Sequence, residues 1–235
     1  MVLKEHLLNL LSEKERKSKI MPVVVRILAC ILVGYVFGCF STAYFVGKLY
    51  GVDIRKEGSG NLGSTNALRT LGKKAAIMTF TGDILKAVIP ICTLRCILGG
   101  AYTEWEMVFV LWMGMGVVLG HNFPFWLNFK GGKGIAVTAA VILVTAHWTV
   151  MIVGLLLFVL IVFFTRYVSV GSMVVAFYLF ANTMLYHRDS DHFVHMVFIS
   201  LLFAGLAIFQ HRGNIVRLLN GTERKVGEKK TEERV

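Results

Sequence analysis

The sequence predicts an all-α protein that crosses a membrane several times. Its 235 residues are 56% hydrophobic and only 17% charged, whereas a soluble domain usually carries about a quarter charged residues. The apolar residues gather in runs of roughly 17–25 residues, the length that a helix needs to cross a hydrocarbon core about 30 Å thick. These runs lack the charged face that an amphipathic helix of a soluble protein shows.

Seven transmembrane helices are predicted from these runs. The fourth and fifth form one nearly continuous apolar stretch, which we divide at His147 and Trp148 because tryptophan favours the membrane interface. A single tilted helix over this stretch would reduce the count to six and move the later loops to the other side. The predicted spans are residues 22–46, 75–98, 105–121, 135–146, 148–164, 170–186 and 193–210.

The distribution of charge orients these spans. With seven helices, the loops 47–74, 122–134 and 165–169 and the tail after residue 210 share one side, where they hold 16 Lys or Arg residues. The loops on the other side hold one. Because basic loops stay in the cytoplasm, we expect a cytoplasmic C-terminus and an N-terminus outside. The N-terminal segment disagrees, since it carries five Lys or Arg residues.

The chain is predicted to have three parts. Residues 1–21 form an amphipathic, charged N-terminal extension without a convincing signal-peptide cleavage site. Residues 22–210 form the membrane domain with its cytoplasmic active-site loops. Residues 211–235 form a cytoplasmic C-terminal motif and a charged tail that we expect to be solvated. The net charge of +11 favours anionic partners, either lipid head groups, phosphorylated substrates or nucleic acid.

The loop at residues 51–74 is dense in hydrogen-bond donors. Its segment GSGNLGSTNALR packs glycines, hydroxyl residues, two asparagines and an arginine into twelve positions. Glycines let a backbone turn sharply and present N–H groups to an anion, and the arginine fork matches phosphate. The plainer interpretation is a turn-rich loop with a helix cap at Ser64 or Thr65. The candidate phosphate-binding residues are Ser59, Asn61, Thr65, Asn66 and Arg69.

A second loop, GHNFPFWLNFKGGKG at residues 120–134, leads directly into the fourth span. A glycine-rich segment with lysines at a helix N-terminus is suited to bind an anion, through free N–H groups and the helix dipole. It is not a P-loop, because Asn128 stands where the first glycine belongs. The candidate phosphate-binding residues here are Lys130, Gly131, Gly132, Lys133 and Gly134.

Residues 165–173 and 211–223 offer further donors at helix ends on the same side, including Ser172 and Asn214. We include these two among the candidate phosphate-binding residues. Each arginine in these segments, taken singly, is better explained by contact with lipid head groups.

Three titratable residues lie in or at the edge of the membrane. Asp83 and Lys86 are spaced to pair on one face of the second span, and either a functional or a structural role is open for them. His121 stands beside the second loop. It is a candidate general base in its neutral form, or else it holds the loops in shape by a hydrogen bond.

Three motifs carry a resemblance to a known family. They are GSGNLGSTNALR, GHNFPFWLNFKGGKG and HRGNIVRLLNGTE, which occur in this order with apolar spans between them, over about residues 30–223. In these motifs the sequence resembles the bacterial acyl-phosphate:glycerol-3-phosphate acyltransferases. It departs from the family pattern in the run Ile135-Ala136-Val137-Thr138, where the hydroxyl stands one position later.

The resemblance implies a seven-helix fold in the bacterial inner membrane, with the active site facing the cytoplasm. It implies transfer of a fatty acyl group from acyl phosphate to the sn-1 hydroxyl of glycerol 3-phosphate, giving lysophosphatidic acid and inorganic phosphate. Expected partners are these two substrates, membrane lipids and the enzyme that makes acyl phosphate, and no nucleic acid. The residues expected to contact substrate phosphates are Ser59, Asn61, Arg69, Lys130, Lys133 and Asn214, and those expected to be catalytic are His121, Arg69 and Lys133.

The residues of rival mechanisms are missing from the sequence. The cytoplasmic loops hold no carboxylate cluster for Mg²⁺, and no Ser or Cys stands in a nucleophile elbow. No histidine has an aspartate five residues on, the pattern of CoA-dependent glycerolipid acyltransferases. We therefore expect no metal and no cofactor. The main alternative is a membrane transporter for an anionic solute, which would hold its substrate near the bilayer midplane.

Overall fold

The structure is a computed structural model that describes residues 23–98 and 105–228. Within these ranges it contains helices, turns and loops but no strand, which confirms the all-α prediction for them. The predicted extension at residues 1–21 lies outside the described residues. The α-helices are α1 (23–38), α2 (Thr42–Leu49), α3 (Ser64–Leu71), α4 (Lys73–Ile97), α5 (Glu106–Asn122), α6 (Ile135–Thr145), α7 (Trp148–Thr165), α8 (Val168–Val175), α9 (Tyr178–Tyr186), α10 (Phe193–Gln210) and α11 (Arg212–Leu219), and 3₁₀ turns cover Ile54–Lys56 and Phe125–Leu127.

Six helical segments of the described chain are long and apolar enough to cross a membrane. The predicted division at His147 and Trp148 is confirmed, because α6 ends at Thr145 and α7 begins at Trp148. The fourth predicted span, residues 135–146, corresponds to α6, which has only 11 residues. At 1.5 Å per residue it covers about 16 Å, less than the hydrocarbon core of about 30 Å. α6 is therefore too short to be counted among the six by its own length, because the glycines before Ile135 form a loop instead of further helical turns.

The first predicted span is interrupted rather than continuous. α1 stops at residue 38, and α2 begins three residues after Cys39. The carbonyls freed by this break are not left unpaired, because Lys86 Nζ donates to Phe40 O at 2.9 Å and Trp126 Nε1 donates to Cys39 O at 2.8 Å. The sixth predicted span is likewise divided, between α8 and α9. The break between α1 and α2 places the carbonyl oxygens of Cys39 and Phe40 near the end of the bundle that carries the loops.

A close contact between α1 and α5 fixes the position of the central helix. α5 is buried along most of its length. Gly34 and Gly38 in α1 face Gly116 and Gly120 in α5, and a Cβ atom on any of them would lie 2.1 to 2.3 Å from a backbone oxygen of the other helix. Small residues spaced by four are the pattern that lets membrane helices approach closely. The contact holds the last turn of α5, which carries His121, against the break after α1.

The bundle has two chemically different ends. At one end, Arg95 of α4 pairs with Glu106 at the start of α5 at 3.3 Å and donates to Val144 O near the end of α6 at 2.7 Å. The start of α4, the end of α5 and the start of α6 lie at the opposite end. That end carries both predicted anion-binding loops, so the two loops meet in space.

Candidate active site

A cavity of about 660 Å³ lies between the loops at this end of the bundle. The loop before α3, the glycine loop before α6, the start of α8 and the segment that joins α10 to α11 all contribute to its wall. The structure therefore brings together nominated residues that are 155 positions apart in the sequence, Ser59 and Asn214. Every site residue nominated from the sequence lines it: Ser59, Asn61, Thr65, Asn66, Arg69, His121, Lys130, Gly131, Gly132, Lys133, Gly134, Ser172 and Asn214.

The cavity wall carries a surplus of positive charge. Two carboxylates line it, and both are paired: Asp83 with Lys86 at 2.8 Å and Glu223 with Arg217 at 2.7 Å. In the described part of the chain no group of three His, Cys, Asp or Glu residues is placed to hold a metal ion. Such a wall suits anions. Its Lys and Arg residues are Arg69, Lys130, Lys133, Arg212, Arg217 and Arg224.

Asn66 organises the first loop with its side chain. Its Oδ1 accepts from the Ser59 amide at 2.9 Å, and its Nδ2 donates to Ile54 O at 3.3 Å and to Glu57 O at 3.1 Å. Both hydrogens of the side-chain amide are therefore used inside the protein. A Cβ atom on Gly58, which has a φ of 59°, would lie 2.3 Å from Asn66 Oδ1. The role that the structure gives Asn66 is to shape the loop.

The hydroxyls at the start of α3 remain available to a ligand. The N-cap of α3 is Gly63, and no side chain caps the helix. Ser64 and Thr65 therefore do not serve as the helix cap that the plainer interpretation assigned to one of them. Both line the cavity, as does Arg69 one turn further along the helix.

The glycine loop is docked onto the end of α5. Gly131 N donates to Asn122 O and Gly132 N donates to His121 O, both at 3.0 Å. The expectation of free N–H groups is wrong for these two glycines. The free groups come later, because the first helical bond of α6 runs from Thr138 N to Gly134 O and the amides before Thr138 have no partner within the helix. The glycines are needed because a Cβ on Gly131 would lie 2.0 Å from His121 O.

Lys133 is held by the third motif. Its Nζ donates to Asn214 Oδ1, Asn214 Nδ2 donates to Glu223 Oε1 at 2.6 Å, and Arg217 Nε donates to Glu223 Oε2 at 2.7 Å. Burial lowers the pKa of Lys133 to about 8, with Glu223 opposing the shift and Arg217 adding to it. Burial raises the pKa of Glu223, but the hydrogen bonds from Asn214 and Arg217 outweigh it and hold that pKa below its usual value.

The cavity residues that were not nominated from the sequence include Asn122, His211 and Glu223. Asn122 is buried, and neither atom of its side-chain amide has a hydrogen-bond partner among the described residues. Glu223 is buried although it belongs to the tail expected to be solvated. The tail returns because Val226 N donates to Arg166 O at 2.8 Å. The sequence feature that could have indicated these three residues is their place in the chain, since each lies within one of the quoted motifs.

His211 has a defined tautomer. Its Nδ1 lies 2.8 Å from Ala207 O, and a carbonyl oxygen only accepts, so Nδ1 carries the hydrogen. Nε2 is then an acceptor. Burial lowers the pKa of His211 to about 4, the hydrogen bond to Ala207 opposes the shift and the charge of Lys133 adds to it. The ring is therefore neutral near pH 7.

His121 stands on a buried polar cluster. Its Nδ1 is 2.7 Å from Lys86 Nζ. Lys86 also pairs with Asp83 Oδ1 at 2.8 Å, and Thr42 Oγ1 donates to the same oxygen at 3.1 Å. The predicted pairing of Asp83 with Lys86 is confirmed.

Together, the helical bundle and the basic cavity define an integral membrane protein with a site for anions at one end. The family model described as glycerol-3-phosphate acyltransferase matches residues 28–221, so the chain belongs to the glycerol-3-phosphate acyltransferase family. A glycerol-3-phosphate acyltransferase of Clostridioides difficile (strain 630) is 42% identical over 202 residues, which cover 85% of this chain and 95% of the relative. One from Alkaliphilus metalliredigens (strain QYMF) is 41% identical over 207 residues, covering 86% and 97%.

Solved structures agree with this assignment. The crystal structure of PlsY (YgiH), an integral membrane glycerol 3-phosphate acyltransferase, in its glycerol 3-phosphate form aligns with a TM-score of 0.73 and 33% identity, over 86% of this chain and 96% of that one. The lysophosphatidic acid form of the same protein aligns with a TM-score of 0.71 and 32% identity, over 86% and 95%.

Proposed function

We propose that this protein transfers a fatty acyl group from acyl phosphate to the sn-1 hydroxyl of glycerol 3-phosphate. The products are lysophosphatidic acid and inorganic phosphate. The observation that carries the proposal is the single cavity in which all three motifs of the family meet, with paired carboxylates and a surplus of cations. Both substrates bear phosphate, so such a cavity suits the pair. The transporter alternative lacks support, since the chain is an acyltransferase by family and its donors lie at one end of the bundle.

Two walls of the cavity each bind one of the two substrate phosphates. The first wall is the hydroxyl-rich start of α3 with Arg69 and the neighbouring side chains of Ser59 and Asn61. The second is the lysine–glycine loop, residues 130–134, with the free amides at the start of α6 and with Asn214 and Ser172 across from it. Each wall holds one phosphate, which brings the glycerol hydroxyl close to the acyl carbon. Holding two reactants in line is a large part of the catalysis that such a site supplies.

The reaction needs no covalent enzyme intermediate. The glycerol oxygen forms a bond to the acyl carbon, the bond between that carbon and the phosphate oxygen breaks, and phosphate leaves. The cation of the wall that binds acyl phosphate, Arg69 or Lys133, stabilises the negative charge that develops on the leaving phosphate. The hydroxyl donates to Nε2 of His211, which fixes its direction of attack. A pKa of about 4 for His211 is too low for an effective base near pH 7, so the proton ends on the departing phosphate.

The membrane arrangement follows from the same geometry. We propose seven crossings, with α6 as the fourth in chain order, because α4, α5, α6 and α7 must alternate between the two ends of the bundle. The basic end then faces the cytoplasm of a bacterial inner membrane, with the N-terminus outside and the C-terminus inside. Acyl phosphate reaches the cavity from the membrane, supplied by the enzyme that makes it.

The test is an acyl-donor assay with purified protein in nanodiscs. Glycerol 3-phosphate is supplied with palmitoyl phosphate or with palmitoyl-CoA, and lysophosphatidic acid is measured. We expect product from palmitoyl phosphate and none from the thioester. Arg69→Met should abolish most of the activity, whereas Lys74→Met, an exposed cation near the start of α4 outside the cavity, should not. Product from the thioester alone, or from neither donor, would overturn the proposal.

A further inference from the structure

A buried polar cluster lies at the floor of the cavity, formed by Asp83, Lys86 and His121, and two of its members, Asp83 and His121, line the cavity. Only 1%, 5% and 7% of these residues are exposed, respectively. An ion pair in such a place is costly to desolvate and adds little stability by itself. Intramembrane charges of this kind usually serve a function. The cluster lies on α4 and α5, directly below the glycine loop.

The hydrogens of Lys86 can be assigned from its neighbours. An ammonium group has three N–H donors and no acceptor. Three acceptors surround Lys86 Nζ: Asp83 Oδ1 at 2.8 Å, Phe40 O at 2.9 Å and His121 Nδ1 at 2.7 Å. The carboxylate balances the charge of the ammonium. Each hydrogen therefore goes to one acceptor, and Nδ1 of His121 must offer its lone pair.

This assignment decides what His121 presents to the cavity. With Nδ1 as acceptor, the neutral ring carries its hydrogen on Nε2. A Cβ atom on Gly132 would lie 2.1 Å from Nε2, so the ring end occupies the space that any side chain at position 132 would need. Among the described residues no acceptor hydrogen-bonds to Nε2, and His121 lines the cavity. The ring thus directs an N–H donor, with no lone pair free, to the glycine loop.

We propose that Asp83 and Lys86 are positioning residues that lock His121 in the tautomer with hydrogen on Nε2, and that this N–H donates to a phosphate oxygen bound in the lysine–glycine loop. His121 is then a substrate-binding donor and not a general base. Thr42 supports the lock from α2, since its hydroxyl donates to the Asp83 oxygen that Lys86 also contacts. The identity of the phosphate rests on the proposed function, whereas the tautomer does not.

The first experiment reads the tautomer without substrate. Protein labelled with ¹⁵N at histidine is studied by solid-state NMR in lipid at pH 7, and His121 is assigned by its absence in His121→Gln. We expect a neutral ring with hydrogen on Nε2. The double variant Asp83→Asn, Lys86→Met leaves no buried charge unpaired and should release this single tautomer. A ring with hydrogen on Nδ1, a doubly protonated ring, or a spectrum unchanged in the double variant would overturn the lock.

A matched control exists on the same helix. Arg95 and Glu106 form a second ion pair at the other end of the bundle, at 3.3 Å. The variant Arg95→Met, Glu106→Gln also removes a pair that involves α4, but it does not touch His121. We expect its His121 spectrum to match that of the unmodified protein. A change as large as in the first double variant would mean that loss of any ion pair disturbs the ring, and it would overturn the specific role of Lys86.

The second experiment asks whether the hydrogen or the lone pair matters in turnover. Glutamine places an amide N–H near the position of Nε2, whereas methionine fills the space without a donor. We expect His121→Met to lose about 10- to 100-fold in kcat/KM, the effect of one hydrogen bond to a charged group, and His121→Gln to stay within about fivefold. In the His121→Gln background the Asp83→Asn, Lys86→Met change should cost less than it does alone, because coupled residues are not additive.

The outcomes separate the two proposals. If glutamine is as poor as methionine, the donor role is wrong although the enzyme is active. If the unmodified protein forms no lysophosphatidic acid while its His121 carries hydrogen on Nε2, the proposed function fails and the tautomer lock stands. A pH profile of kcat/KM that loses an ionisation in His121→Gln would show that His121 exchanges a proton, and it would overturn the donor role.

Discussion

Two histidines line the cavity and differ in which nitrogen carries the hydrogen. Nδ1 of His211 faces the carbonyl of Ala207, which only accepts. Nδ1 of His121 faces the ammonium of Lys86, which only donates. The same residue type therefore presents a lone pair on one wall and an N–H on the other. The partner of Nδ1 decides whether Nε2 of a histidine acts as a donor or as an acceptor. In both residues this partner, Ala207 O or Lys86 Nζ, is not a group that we expect to contact substrate.

Removing the lone pair should have the largest effect. We expect His211→Ala to lower kcat about 100-fold or more, because the hydroxyl loses the group that directs its attack and a misplaced nucleophile reacts slowly. The measurement is initial rate at saturating palmitoyl phosphate and glycerol 3-phosphate. His147→Ala, which alters a histidine at the opposite end of the bundle, serves as the control. A loss of kcat below tenfold in His211→Ala would mean that Nε2 of His211 does not direct the attack of the hydroxyl.

The next largest effect should be a change in KM with pH that follows the protonation of Lys133. With a pKa of about 8, Lys133 is charged at pH 7 and loses its proton as the pH rises through 8. Because only the charged form attracts phosphate, KM for the substrate in this loop should rise above pH 8, by up to about tenfold per pH unit at the limit. Lys133→Arg should remove this rise, since a guanidinium stays charged. The same rise in the arginine variant would assign it to another group.

A smaller effect is expected from Glu223. Its negative charge raises the pKa of Lys133, so Glu223→Gln should lower that pKa further. The midpoint of the rise in KM should then move below pH 8, by less than about one unit for a partly solvated pair. Glutamine keeps an oxygen for Asn214, which limits damage to the third motif. A midpoint that moves to higher pH would contradict the contact network around Lys133.

Much of the site could be predicted from residue types and their order. Glycine, lysine and hydroxyl residues at helix ends indicate anion binding by their chemistry alone, and all the residues so nominated line one cavity. Asn66 shows the limit of this argument. Asn61 and Asn66 belong to the same motif, yet the side chain of Asn66 is used by the loop backbone. Composition does not distinguish a donor that shapes a loop from one that meets a ligand.

The missed features depend on contacts between distant segments. His211 has no distinguishing neighbour in the sequence, and its tautomer depends on a carbonyl one helical turn earlier. Glu223 is buried because it accepts hydrogen bonds from Asn214 and Arg217 and because the tail returns to Arg166, whose carbonyl accepts from Val226 N. The short α6 depends on the docking of Gly131 and Gly132 onto the end of α5. A hydropathy pattern reports none of these contacts.

We propose that one cavity holds two phosphates at the same time, one on each wall. The direct measurement is calorimetric titration of glycerol 3-phosphate into the protein in nanodiscs, with and without a saturating acyl phosphonate that cannot react. We expect glycerol 3-phosphate to bind in both cases with dissociation constants within about threefold of each other, since the two sites differ and couple weakly. Displacement of glycerol 3-phosphate by the phosphonate would mean that the walls form a single site, and it would contradict the binding of two phosphates at once.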